Sequence, residues 1–136
     1  MKRDDRRILL VEDDEDIRSL LADLFEQEGY QVYQAADGRE GLAEMKKRYH
    51  HVVLCDYRMP HMDGLAFLDV SRLVWPDTPV IMVSCDPELM ERQDSQPLLS
   101  AYACLQKPFD LDQLLTAVKE ASSEAHVSAL HHIAHR

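Results

Sequence analysis

Acidic side chains that could bind a cation or a phosphoryl group follow short apolar runs in this 136-residue chain. Glu12 and Asp13 come directly after the run at residues 7–11, and Asp56 ends a second run that contains Val52 and Val53. Burying a lone carboxylate inside a sheet is costly. Asp56 is therefore predicted to lie at the carboxyl end of a buried strand, where it meets water, a cation or a ligand.

Two further polar residues follow apolar runs, Ser84 directly and Lys107 one residue later. If the strands are parallel, all five side chains converge on one edge of the sheet. Carboxylates packed together repel one another, and a hard dication such as Mg²⁺ relieves that repulsion. Lys107 would add a point charge and Ser84 a hydroxyl donor. The set predicts phosphoryl transfer to a carboxylate, with Asp56 as the nucleophile.

Simpler structural roles exist for the same acids. Asp56 could be a strand-end cap, and Glu12 and Asp13 could be the solvated entry to a helix. Capping and the helix dipole explain Asp14 and Asp16 without any further role. They do not explain both Glu12 and Asp13, which precede the helix.

Strand-like and helical patterns alternate through five units along the chain. This alternation predicts an α/β fold, a doubly wound parallel sheet with helices on both faces and right-handed crossovers. The predicted strands lie at residues 7–11, 30–35, 51–56, 80–83 and 102–105. The predicted helices lie at about 14–28, 39–48, 65–74, 87–100 and 110–121, with Gly29 ending the first.

Composition narrows the function classes. The net charge of −10 disfavours nucleic-acid binding and suits a basic partner or a cation site. No apolar run has the length of a membrane helix, and the amino terminus does not have the pattern of a signal peptide. Three widely spaced cysteines, Cys55, Cys85 and Cys104, suggest reduced thiols. A cytoplasmic location is therefore expected.

The motifs, taken together, resemble the receiver domain of two-component response regulators, including the chemotaxis receivers. Ile8-Leu9-Leu10-Val11-Glu12-Asp13-Asp14-Glu15 is similar to the opening acidic signature of that family. Asp56-Tyr57-Arg58-Met59-Pro60 followed by Asp63-Gly64 is similar to the phosphoacceptor motif. Ser84 matches the Ser/Thr position, and Lys107-Pro108-Phe109 matches the lysine motif, whose proline is expected to be cis.

The resemblance implies a five-stranded flavodoxin-like (βα)5 fold with strand order 2-1-3-4-5, a receiver domain over residues 1–121, and a tail or helix extension over 122–136. It implies that Asp56 accepts a phosphoryl group from the phosphohistidine of a sensor histidine kinase or a histidine phosphotransfer protein. Mg²⁺ or Mn²⁺ would be held by Glu12, Asp13, Asp56 and the backbone carbonyl of Arg58. Ser84 and Lys107 would contact the phosphoryl group.

The resemblance further implies a switch rather than a turnover enzyme. Phosphorylation would shift the population of two states and alter the face formed by the fourth helix, fifth strand and fifth helix. That face would bind a downstream protein or an output domain, and the chain would be a monomer or a weak dimer. Direct binding to nucleic acid or a membrane is not expected.

Some positions depart from the family pattern and keep other functions open. Cys104 occupies the place of the usual switch aromatic, so a receiver-like binding module that does not use phosphate is an alternative. An aspartyl-phosphate hydrolase would carry a second Asp two positions after the nucleophile, where this chain has Arg58. Redox sensing by the cysteines and metal binding by His131, His132 and His135 are less favoured than structural roles.

Overall fold

The computed structural model describes residues 6–59, 62–84, 103–106 and 110–123. Within these residues the chain forms five strands and four helices. The strands are β1 (Arg7–Val11), β2 (Gln31–Ala35), β3 (Val52–Asp56), β4 (Val80–Ser84) and β5 (Ala103–Gln106). The helices are α1 (Glu15–Gln27), α2 (Gly38–Lys47), α3 (Gly64–Val74) and α4 (Leu111–Ala121). The predicted helix over 87–100, the motif Lys107-Pro108-Phe109 and the tail from residue 124 lie outside the described residues.

The strands form one parallel sheet in the order β2-β1-β3-β4-β5, which confirms the predicted fold class. Parallel neighbours require crossover connections, and α1, α2 and α3 supply those that link β1 to β4 along the chain. The central strands are buried on both faces, which explains why their sequences are continuous apolar runs rather than alternating patterns.

Alternate side chains of the strands point to opposite faces and build two separate cores. One core includes Ile8, Leu10 and Leu54 and is covered by α1 and α4. The other includes Val11 and Phe67 and is covered by α2 and α3. Because both faces are covered, polar groups are left mainly for the ends of the strands.

Each of the first three helices begins at an aspartate that caps it. Asp14 Oδ1 accepts a hydrogen bond from the backbone N–H of Ile17 at 3.0 Å. Asp37 and Asp63 do the same for α2 and α3, accepting from Glu40 and Ala66. Gly29, predicted to end α1, adopts a φ of 96°, a left-handed conformation that glycine adopts without strain.

Helical spacing favours a place for Leu20 and Leu73 in the apolar faces of α1 and α3, but the structure differs. Leu20 is 68% exposed, and Leu73 on α3 is 84% exposed. Ala22 and Ser71 are buried instead. A spacing of three or four residues leaves the edge of an apolar stripe undefined, and the packing of the neighbouring elements decides which residues it includes.

Candidate functional site

The carboxylates of Glu12, Asp13 and Asp56 come together at one edge of the sheet. One ligand oxygen from each lies within 4.8 Å of the others. The strand register explains this arrangement: Val11 of β1 is level with Cys55 of β3, so the residues that follow them are neighbours. Glu12 is buried, Asp56 is half-buried and Asp13 is exposed. The cluster therefore has an inner side in the protein and an outer side open to solvent.

The turn between β1 and α1 holds Glu12 through both its backbone and its side chain. The Glu12 backbone N–H donates to the carbonyl of Ala35 at 3.0 Å, which ties the turn to the end of β2. Glu12 Oε2 accepts from the backbone N–H of Asp14 at 3.1 Å. This bond ties one carboxylate oxygen of Glu12 to the turn.

The backbone on the other side of the cluster is held where β3 ends. The Tyr57 N–H donates to the carbonyl of Val83 at 2.9 Å, and the Gly64 N–H donates to the carbonyl of Tyr57 at 2.7 Å. The first residue of α3, Gly64, is therefore bonded to Tyr57, the residue that follows the end of β3. Met59 and Met62 pack against the core that includes Val11 and Phe67.

Ser84 is the last residue of β4 and is buried. Because Asp56 is level with Val83, Ser84 lies one residue further along the neighbouring strand. Ser84 in turn is level with Gln106, the last residue of β5, and Lys107 is the next residue in the sequence. Lys107 itself lies outside the described residues. Arg58 is exposed, two residues after Asp56.

Cys55 lies directly before Asp56, but its environment does not suit redox chemistry. Its side chain is fully buried, and Sγ donates to the backbone carbonyl of Asp56 at 3.3 Å. Burial raises the pKa of the Cys55 thiol well above its usual range, and the charges of Asp56 and Glu12 add to the effect. The reactive thiolate is therefore disfavoured. The side chains of Cys85 and Cys104 lie outside the described part of the chain.

The acidic cluster fits a hard divalent cation. Carboxylate oxygens are the ligands that Mg²⁺ and Mn²⁺ prefer, and Mg²⁺ usually keeps several waters in addition to one or two carboxylates. Three acids this close would repel one another in the absence of a counter-charge. Asp13 is exposed, so the cluster is open to solvent on that side.

The close packing at Gly64 was not apparent from the sequence, in which Asp63-Gly64 is only the end of the phosphoacceptor-like motif. A Cβ at Gly64 would approach the Asp56 carbonyl oxygen to 2.6 Å and the Tyr57 Cα to 2.8 Å. Glycine is therefore required for the close approach of α3 to the strand end. A glycine directly after a helix-capping aspartate is a weak signal, and only the tertiary contact reveals its role.

Comparison with known proteins identifies the class to which this fold and site belong. The family described as the response regulator receiver domain matches residues 8–119. The chain belongs to this family and is a receiver domain of two-component signalling systems. Receiver domains bind Mg²⁺ at an acidic cluster and work with histidine kinases or phosphotransfer proteins and with output domains.

Individual relatives agree with this membership. The chain is 38% identical over 114 residues to sporulation initiation phosphotransferase F of Bacillus subtilis, covering 84% of this chain and 91% of that protein. It is 33% identical over 119 residues to a probable chemotaxis protein CheY of Rhizobium etli, covering 83% of this chain and 89% of the relative. Other relatives are longer: the chain spans 25% of regulatory protein AtoC of Escherichia coli.

A solved structure of the same fold contains the expected type of ligand. Response regulator TrrA of Thermotoga maritima, in complex with Mg²⁺ and BeF, has a TM-score of 0.76 and 28% identity, covering 85% of this chain and 98% of that one. Within the described residues of the present chain, none of the helices is both long and apolar enough to cross a membrane.

Proposed function

We propose that this receiver accepts a phosphoryl group on Asp56 from the phosphohistidine of a sensor histidine kinase or a histidine phosphotransfer protein. The observation that supports this proposal best is the convergence of Glu12, Asp13 and Asp56 within 4.8 Å at the ends of two neighbouring parallel strands. Of the three, Asp56 ends the central strand and is half-buried, so it meets the donor from a fixed position.

In the transfer, a carboxylate oxygen of Asp56 forms a bond to phosphorus as the phosphorus–nitrogen bond of the donor histidine breaks. The electron pair of the broken bond stays on the imidazole. Glu12, Asp13, Asp56 and the Arg58 carbonyl would hold Mg²⁺ or Mn²⁺, which would neutralise charge on the phosphoryl oxygens. Ser84 would donate a hydrogen bond to one of those oxygens, and Lys107 would pair with another.

The chain assists its own phosphorylation and a slow dephosphorylation but does not act as a turnover enzyme. Efficient hydrolysis needs a base that activates water beside the phosphorylated carboxylate. Arg58, two residues after Asp56, is a permanent cation and cannot serve as that base. The phosphorylated state therefore lasts long enough to alter binding.

The output of the switch is a change in the surface formed by the predicted helix over 87–100, β5 and α4. Ser84 connects the site to this surface, because it is level with Gln106 at the end of β5. A downstream protein or an output domain would bind there, and the receiver itself would be a monomer or a weak dimer. The protein is proposed to work in the cytoplasm.

The test is incubation with Mg²⁺ and acetyl phosphate or phosphoramidate, followed by intact mass measurement. We expect the wild-type chain to gain one phosphoryl group and Asp56→Ala to gain none. Asp69→Asn is the matched control, because Asp69 is an exposed acid on α3, and this variant should be modified as the wild type is. Equal modification of Asp56→Ala and wild type would show that another residue is the acceptor.

The same experiment decides the alternative of a binding module that does not use phosphate. That alternative is favoured only by Cys104 at the position of the usual switch aromatic. A wild-type chain that remains unmodified with every small donor and with Mg²⁺ present would support the alternative and contradict the proposed function.

A further inference from the structure

Arg18, in the first half of α1, reaches back to the turn that carries two of the acids. Its Nη1 donates a hydrogen bond of 2.6 Å to the backbone carbonyl oxygen of Glu12. The side chain is partly buried, and its own backbone N–H donates to the carbonyl of Asp14 at 2.9 Å. A short hydrogen bond from a charged donor is stronger than one between neutral groups. Arg18 therefore fixes Glu12 from the helix side.

The carbonyl that Arg18 contacts belongs to the peptide group joining Glu12 to Asp13. The opposite side of Glu12 is held by its N–H, which donates to Ala35 in β2. Asp13 is exposed, so the direction of its side chain depends on the backbone that carries it. Arg18 thus holds the one peptide group whose orientation sets the spacing between the two acids.

We propose that Arg18 is a positioning residue for the divalent-cation site, acting through the Glu12 carbonyl to keep Glu12 and Asp13 in a geometry that binds the ion. It would not contact the ion or the phosphoryl group. Groups that orient metal ligands contribute to affinity although they do not coordinate the ion. Because Arg18 acts through the acids, this role depends on the function proposed above.

The charge and the hydrogen bond of Arg18 predict opposite effects on cation binding. A guanidinium beside the acids repels a dication, so removing the charge alone would tighten binding. Loss of the hydrogen bond frees the Glu12–Asp13 peptide group and would weaken binding. The sign of the change therefore separates positioning from simple electrostatics.

The experiment measures the Mg²⁺ dissociation constant of the full chain by isothermal titration calorimetry for wild type, Arg18→Met and Arg18→Lys. We expect Arg18→Met to bind Mg²⁺ about tenfold more weakly, within the range seen when outer partners of metal ligands are removed. Arg18→Lys, which keeps the charge and one donor on a different geometry, should fall between wild type and Arg18→Met.

The matched control is Arg72→Met, which makes the same change of charge and shape on another helix. Arg72 lies in the last turn of α3, and its Nη1 also donates to a backbone carbonyl, that of Pro76, at 3.4 Å. Arg72→Met should bind Mg²⁺ as the wild type does.

The phosphorylation rate gives a second measurement on Arg18→Met. At saturating Mg²⁺ this rate should approach that of the wild type, because the substitution reduces only the occupancy of the cation site.

The outcomes separate this role from the proposed function. If wild type binds Mg²⁺ and both Arg18 variants bind it equally well or more tightly, the positioning role is wrong and the proposed function stands. If wild type binds no Mg²⁺, the proposed function fails and the role of Arg18 fails with it. Thermal unfolding of each variant checks the fold, and Arg18→Lys keeps the comparison valid if Arg18→Met does not fold.

Discussion

Glu12, Asp13 and Asp56 belong to one acidic cluster but differ in their exposure to solvent. Glu12 is 6% exposed although it follows β1 directly, whereas Asp13 is exposed. That difference depends on the path of the turn and on the contact with β2, which no local pattern records.

His50 is a buried titratable residue whose role no sequence motif predicts. It is 1% exposed, and neither ring nitrogen has a hydrogen-bond partner among the described residues. Glu44 Oε2 lies 3.6 Å from Nε2, and the Tyr33 ring packs edge-on with a centroid distance of 5.3 Å. Burial lowers the pKa of His50 from 6.5 to about 4, although Glu44 opposes the shift, and Arg7 and Arg48 reinforce it. The folded state therefore holds His50 neutral.

This lowered pKa predicts a loss of stability in acid. The unfolded chain binds a proton at His50 below about pH 6.5, whereas the folded chain resists it until about pH 4. Well above pH 6.5, His50 is neutral in both states and does not lower the free energy of unfolding. As the pH falls toward 4, protonation of His50 in the unfolded chain lowers that free energy by as much as about 3 kcal/mol. Urea unfolding from pH 7 to pH 4 should show a smaller loss for His50→Phe than for wild type.

The comparison cancels the other titrating groups, because wild type and His50→Phe share all of them. The phenyl ring also keeps an aromatic contact available to Tyr33 and removes only the titration. Parallel pH profiles for the two proteins would show that His50 is protonated equally easily in the folded and unfolded states.

At the scale of elements, strands were easier to predict than the exposed edges of helices. The predicted strand β1 has the observed ends, β2, β3 and β4 each differ by one residue at one end, and β5 is shifted by one residue. Continuous apolar runs bounded by polar residues define buried parallel strands clearly. Leu20 and Leu73 are exposed although they share the helical spacing of buried neighbours, because that spacing alone does not distinguish the centre of an apolar stripe from its edge.

The loop from β3 to α3 shows how one element fixes the site on another. The Gly64 N–H bonds to the Tyr57 carbonyl, and the space for a Gly64 side chain is taken by the Asp56 carbonyl and the Met82 methyl, both at 2.6 Å. The methyl belongs to a flexible side chain and can move, but the carbonyl is part of the strand end. Any side chain here would displace the backbone of Asp56.

Gly64→Ala is therefore expected to destabilise the fold by about 1–3 kcal/mol, as overpacking does. The substitution should also slow phosphorylation by acetyl phosphate, because it displaces the backbone carbonyl of Asp56, the proposed acceptor. Gly38→Ala is the matched control: its Cβ would meet mainly the Met62 side chain, at 2.9 Å, which can rotate away. Urea unfolding and the phosphorylation rate measure both effects, and equal results for the two variants would contradict this account.

At the scale of the whole molecule, the topology is what turns scattered motifs into one site. Glu12 and Asp56 are 44 positions apart in the sequence but are brought side by side because β1 and β3 are parallel neighbours. The alternation of strands and helices predicted this sheet and its covered faces. The family resemblance supplied the strand order, which alternation alone leaves open, and the register of the sheet confirms it.

The position of Ser84 in the sheet bears on the proposed switch. Ser84 lies on β4 between β3, which carries Asp56, and β5, so under the proposed function a shift at Ser84 would reach the sheet edge formed by β5. Both cores are built from buried side chains in contact with one another, and packed cores move between discrete arrangements rather than deforming continuously. Phosphorylation would select one of two arrangements at this edge of the molecule.

The central claim is that Glu12, Asp13 and Asp56 together form one divalent-cation site, and anomalous diffraction from crystals grown with Mn²⁺ tests it most directly. We expect a single strong anomalous peak within coordination distance of all three carboxylates, and its loss in crystals of Asp13→Asn grown in the same way. A peak bound elsewhere on the chain, or density showing the three side chains turned apart with no ion between them at saturating Mn²⁺, would contradict the claim.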